Sequence, residues 1–103
     1  MSILNQLFSQ PDWPAALERV EKTPGAVLLD VRSEEEYAGG HVPGAVSLPL
    51  NRLAAIDLPK STPLFVYCLS GARSRRACAF LTKQGYQAED LGGISGYRGP
   101  LEK

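Results

Sequence analysis

Little in this chain of 103 residues could hold a metal or a nucleotide. There is one histidine, His41, so a multi-histidine metal centre has no ligand supply. The two cysteines, Cys68 and Cys78, are too few for a disulfide framework and too far apart for a C-x-x-C redox pair or a zinc knuckle. No G-x-G-x-x-G occurs, and Gly39 and Gly44 have the spacing of a phosphate-binding loop but are followed by Ala45 rather than lysine. No cofactor and no metal are therefore expected. Net charge is missing too, because 11 Lys and Arg balance 11 Asp and Glu. That argues against nucleic acid or an anionic membrane as partner, and any electrostatic function has to be local. The longest apolar run, Leu64 to Leu69, falls far short of the roughly 18 residues that span a bilayer. The first basic residue is Arg19 and the start, Met1 to Phe8, has no charged region ahead of a long apolar stretch. No secretory leader is expected, and the location reads as cytoplasmic.

What is present is the composition of an ordinary soluble domain, 44% hydrophobic and 21% charged, long enough to bury a core without staples. One domain over residues 1–103 and a monomer are expected. Residues 12 to 22 carry an early proline and apolar positions at 13, 16/17 and 20, the spacing of an amphipathic helix, which Pro24-Gly25 stops. Ala26 to Val31 is a continuous apolar run after a turn signal, the pattern of a strand covered on both faces. Ser33 reads as the N-cap of a helix with Glu36 completing a capping box, and Gly39-Gly40 ends it. A short strand over 45–48, a short helix over 49–56 and a loop over 59–63 follow. Leu64 to Cys68 is a second apolar strand, Leu69 to Arg73 a small-residue loop, and Ser74 to Gln84 a helix closed by Gly85. Residues 87–91 read as a last strand, and 92–100 as turn-rich with a single helical turn. Strands alternating with helices predict an α/β domain, a mostly parallel central sheet with helices on both faces.

In open parallel sheets, ligands bind beyond the carboxyl ends of the strands, where amides of the following helix point outward. Cys68 occupies that place. A thiolate there would receive the helix dipole, loop N–H groups and the charge of Arg73, each favouring the ionised nucleophile. A merely buried strand end has no need of Ser70-Gly71-Ala72, small residues that let the backbone curl around one atom, with an arginine at the helix mouth. Cys68 is therefore the candidate catalytic residue, and Leu69, Ser70, Gly71, Ala72 and Arg73 the candidate substrate-binding loop.

These residues carry a family likeness. Leu28-Leu29-Asp30-Val31-Arg32, Glu36-Tyr37, Gly40-His41-Val42-Pro43-Gly44-Ala45, Tyr67 to Ser74, Leu81 to Tyr86 and Leu91-Gly92-Gly93-Ile94 form an ordered set. In that order they resemble a single-domain rhodanese, a thiosulfate-type sulfurtransferase, most strongly over 26–97. The resemblance implies a rhodanese-like fold and a persulfide cycle. In it Cys68 takes a sulfane sulfur from a small anionic donor (thiosulfate, polysulfide or a persulfide) and passes it to a thiol or cyanide acceptor. Tyr97 stands where the family commonly has tryptophan, a change in packing rather than chemistry. The likeness also makes His41 a structural hydrogen-bonding residue.

Two other classes compete. A cysteine-dependent phosphatase or arsenate reductase also closes a thiolate loop with arginine, but over five intervening residues, whereas Leu69 to Ala72 supplies four. A non-catalytic docking module on the same fold is the other alternative, against which the intact loop speaks. Asp30 and Arg32 read as ion-pair residues, Arg32 with Glu36 or another carboxylate. Cys78 reads as core packing. Arg75 and Arg76 read as solvated surface, with steering of an anionic donor as the alternative.

Overall fold

The computed structural model describes residues 11–103; the stretch weighed above for a leader lies outside them. The chain runs α1 (Trp13–Lys22), β1 (Val27–Asp30), α2 (Glu34–Ala38), β2 (Val46–Ser47), a 3-10 helix (Leu50–Ala55), β3 (Leu64–Cys68), α3 (Ala72–Lys83), β4 (Ala88–Gly93) and a final 3-10 turn (Ile94–Gly96). Local chemistry sets several of these ends. Asp12 caps α1 by accepting from the Ala15 N–H at 3.1 Å. Ser33 and Glu36 form the full capping box of α2, each side chain accepting from the other's backbone N–H.

The four strands are parallel in the order β2-β1-β3-β4. β3 is central and all five of its residues are buried. Alternation along it separates two cores. Phe65 and Tyr67 face Trp13 and Ala16 of α1, with Leu28, Leu91 and Ile94. Leu64, Val66 and Cys68 face Ala77 and Leu81 of α3, with Leu29, Val31 and Leu53. Helices thus cover both faces of a parallel sheet, as the pattern predicts. On the α1 side Trp13 meets Tyr67 and Tyr97 edge-on at 5.3 and 5.5 Å between ring centres, so tyrosine at 97 does serve packing.

Two boundaries differ from expectation. The helix predicted from Ser74 begins at Ala72, because Gly71 turns the chain in a left-handed conformation (φ 107°) and no side chain is needed as cap. Gly92-Gly93, expected in a turn, closes β4: a bulge opposite Val66 and Tyr67 brings Gly92 beside Tyr67 and Gly93 beside Cys68. That second difference matters for the site.

Candidate functional site

Cys68 is the last residue of the central strand, at its carboxyl end, and only 1% exposed. Its sulfur sits in a closed ring of hydrogen bonds around the Gly71 peptide. The Gly71 N–H donates to Sγ at 3.0 Å, the thiol faces the Ser74 hydroxyl at 3.4 Å, and that hydroxyl donates to the Gly71 carbonyl at 3.1 Å. Ser74 is fully buried. The left-handed turn at Gly71 folds this peptide under the sulfur; an L side chain at that φ would be strained.

The loop between strand and helix is shorter than the sequence implies, comprising Leu69, Ser70 and Gly71. Leu69 is 45% exposed, and Ser70 and Ala72 are exposed. Their backs rest on β4. A Cβ built on Gly93 would lie 2.4 Å from the Leu69 carbonyl oxygen and 2.8 Å from the Ser70 Cα, so only glycine fits beneath the loop. The Ser95 N–H donates to that same Leu69 carbonyl at 3.1 Å, and the Trp13 indole donates to the Gly93 carbonyl at 3.0 Å. Gly93 and Ser74 are thus the site residues that sequence reasoning leaves without a role. The signal for Gly93 is a non-local contact. For Ser74 it is the helix start: once α3 begins at Ala72, residue 74 lies in its first turn and can reach back to Gly71.

Arg73 stands beside the sulfur without bonding to it. Its guanidinium forks onto Glu36 of α2, Nη1 to Oε1 at 2.6 Å and Nη2 to Oε2 at 3.0 Å, and its pKa is raised by that hydrogen bonding and, after it, by the charges of Glu36, Cys68 and Asp30. Hydrogen bonding from Arg73 holds the Glu36 carboxyl down at about 2 despite partial burial, with Ser33 assisting. Among the described residues Gly71 supplies the single backbone N–H on the resting Sγ.

The other singled-out residues are structural in their contacts. Arg32 pairs with Asp30 rather than Glu36, at 2.6 Å and buried, and also donates to the Gly40 carbonyl. Burial opposes the Arg32 charge, but Asp30 outweighs it and the guanidinium pKa lies above its ordinary value. His41 stacks on Tyr37 at 3.6 Å and its Nδ1 lies 2.9 Å from the Tyr37 carbonyl. Cys78 packs against the α3-side core, and burial pushes its thiol up to about 12.

A rhodanese-like domain model matches residues 14–99. The chain belongs to the rhodanese-like domain family. It is 35% identical over 82 residues to a sulfurtransferase of Allochromatium vinosum, covering 78% of this chain and 77% of that one. It is 35% identical over 80 residues to the thiosulfate sulfurtransferase PspE of Escherichia coli, covering 73% and 77%. A solved rhodanese with anions from E. coli superposes with a TM-score of 0.67 at 32% identity, over 76% of this chain and 98% of that one. Of two longer relatives, matched at 36% and 31% identity, the chain spans 19% and 23%.

Proposed function

We propose that this domain is a sulfurtransferase working through a persulfide on Cys68. The Cys68 thiolate attacks the sulfane sulfur of an anionic donor; the Sγ–S bond forms, and the donor's S–S bond breaks with its electron pair leaving on the departing group, sulfite when the donor is thiosulfate. An acceptor thiolate or cyanide then attacks the outer sulfur, and Cys68 leaves as thiolate. The Cys68 proton passes to solvent before the first attack, and neither half requires a metal.

The observation that supports this reading is the ring around Gly71. Its N–H is already aimed at Sγ, and once the thiol proton is lost the Ser74 hydroxyl can turn from the Gly71 carbonyl to the anionic sulfur. The covering of Sγ supports a slim electrophile, and a terminal sulfane sulfur, bare on its reacting side, is the slimmest available. A three-residue loop and an arginine held by Glu36 also weigh against a site for a tetrahedral oxyanion, which needs several N–H donors and a free guanidinium fork.

Intact mass after incubation with thiosulfate tests it. The protein should gain about 32 Da, one sulfur, removable by cyanide; Cys68→Ser should not load and Cys78→Ser should load as wild type. Loading that persists in Cys68→Ser overturns the assignment. Hydrolysis of an aryl phosphate that depends on Cys68 and outpaces sulfur transfer would hand the site to the phosphatase reading. Absence of loading from thiosulfate, polysulfide and an organic persulfide alike would favour the docking module.

A further inference from the structure

Beside the loop lies a cleft of about 560 Å³, lined by Val31, Ser33, Pro49, Leu50, Asn51, Arg73 and Arg76. Val31, directly after β1, brings it to the strand next to that of Cys68, which does not itself line it. The β1–β3 register pairs Asp30 with Tyr67, the Val31 N–H donates to the Tyr67 carbonyl at 3.1 Å, and the Val31 side chain shares the cluster of Cys68. The volume falls within the several hundred cubic ångströms typical of organic-ligand sites and far exceeds what one thiosulfate would fill. The lining divides into an apolar wall, Val31, Pro49 and Leu50, and a polar wall, Arg73, Arg76, Ser33 and Asn51.

The two arginines are not equivalent. They lie three residues apart on α3 and so share a face, while Arg75 points elsewhere and does not line the cleft. Arg73 is neutralised by Glu36, whereas Arg76 has no ion-pair partner among the described residues. No carboxylate lines the cleft. A single unbalanced guanidinium therefore lines a cleft whose apolar side includes Val31, which shares the buried cluster of Cys68.

Resting on the sulfurtransferase reading, we propose that this cleft is the subsite for an organic thiol carrying a carboxylate, the acceptor of the Cys68 sulfur. Its carboxylate pairs with Arg76, its aliphatic stem lies on Val31, Pro49 and Leu50, and its thiolate reaches the persulfide. Arg76 is thus a specificity-determining residue, and Arg75 is not.

The test isolates the second half-reaction. Protein loaded with sulfur on Cys68 is discharged by mercaptopropionate or by mercaptoethanol, which differ in the carboxylate. Arg76→Gln should lower the second-order rate with mercaptopropionate about 10-fold and leave mercaptoethanol within about twofold, while Arg75→Gln should leave both within about twofold. Equal losses with both arginine variants would replace the subsite with long-range steering. No loss in Arg76→Gln would overturn it outright. Amide NMR titration with butyrate, which has no sulfur, gives a readout independent of turnover. Shifts at Val31, Leu50 and Arg76 that vanish in Arg76→Gln are expected even in Cys68→Ser. Shifts absent from these residues in wild type overturn the cleft as a carboxylate site, whether or not Cys68 loads.

Discussion

The two cysteines share one face of the sheet and one core, yet their surroundings differ. Cys68 is the more buried, at 1% exposure, and Cys78 is half-buried against the same cluster. Exposure alone would choose Cys78 as the nucleophile. Cys78, however, lies in mid-helix, where backbone N–H groups are engaged within the helix, and burial pushes its thiol up to about 12, so it stays protonated at neutral pH. Cys68 lies where a strand has ended and a helix is beginning, so an N–H and a hydroxyl turn toward its sulfur. On the proposed function, hydrogen-bonding groups gathered at an element boundary, rather than access, distinguish the sulfur-carrying cysteine from the other. If so, removing those groups should make Cys68 as inert as Cys78.

The largest effect should come from Gly93→Ala. The added Cβ meets backbone of Leu69 and Ser70, so the loop must move rather than a side chain bend. A displacement of about 1 Å at a reacting group costs on the order of 100-fold, and the rate of sulfur loading onto Cys68 should fall by about that factor. Thermal unfolding checks that the domain remains folded. Loading within threefold of wild type would show that the loop is not positioned by β4.

Ser74→Ala comes next. It opens the hydrogen-bonded ring while leaving the Gly71 N–H on the sulfur, and losing one such partner is worth about 1 to 1.5 kcal/mol, or about 10-fold in loading rate. Because the hydroxyl touches sulfur and not the body of the donor, kcat should carry the loss with KM for thiosulfate unchanged. A rise in KM with kcat intact would instead make Ser74 a donor contact.

Where sequence reasoning succeeds and fails here follows the range of the forces. The capping box at Ser33 and Glu36 involves atoms three residues apart, and the strands at 27–30 and 64–68 announce themselves as continuous apolar runs, so both are legible in one dimension. Cys68 is legible because strand, small residues and helix follow one another without interruption. The helix start at Ala72 is not, because it is set by a left-handed turn at Gly71, three residues before the expected start at Ser74, and by no capping side chain. Gly93 and the Arg73–Glu36 pair depend on contacts across more than twenty residues, which neither periodicity nor motif spacing encodes.

That pair yields the smallest effect and the last way to sharpen the contrast. Glu36 joins α2 to the first turn of α3, directly beside the ring around Cys68 and a turn away from Cys78. Arg73 lowers the carboxyl from its ordinary 4.5 to about 2, so the folded state holds the proton less tightly than the unfolded chain does. Stability from this pair is therefore fully present above pH 4.5 and lost as pH falls toward 2. Both side chains are about one-third exposed, 35% and 31%, which screens the pair. Its contribution is about 1 kcal/mol, near the upper end for partly exposed ion pairs. Glu36→Gln should lower the unfolding free energy at pH 7 by that amount, read from denaturant titration. The gap between wild type and variant should narrow between pH 4.5 and 2, and shrink in high salt. If the Glu36–Arg73 fork holds only the site end of α3, the variant should also speed amide exchange over residues 71 to 74 while leaving 77 to 81 at the wild-type rate. Equal acceleration along the whole helix would mean that the pair stabilises α3 as a unit and that the two cysteines share one mechanical environment after all.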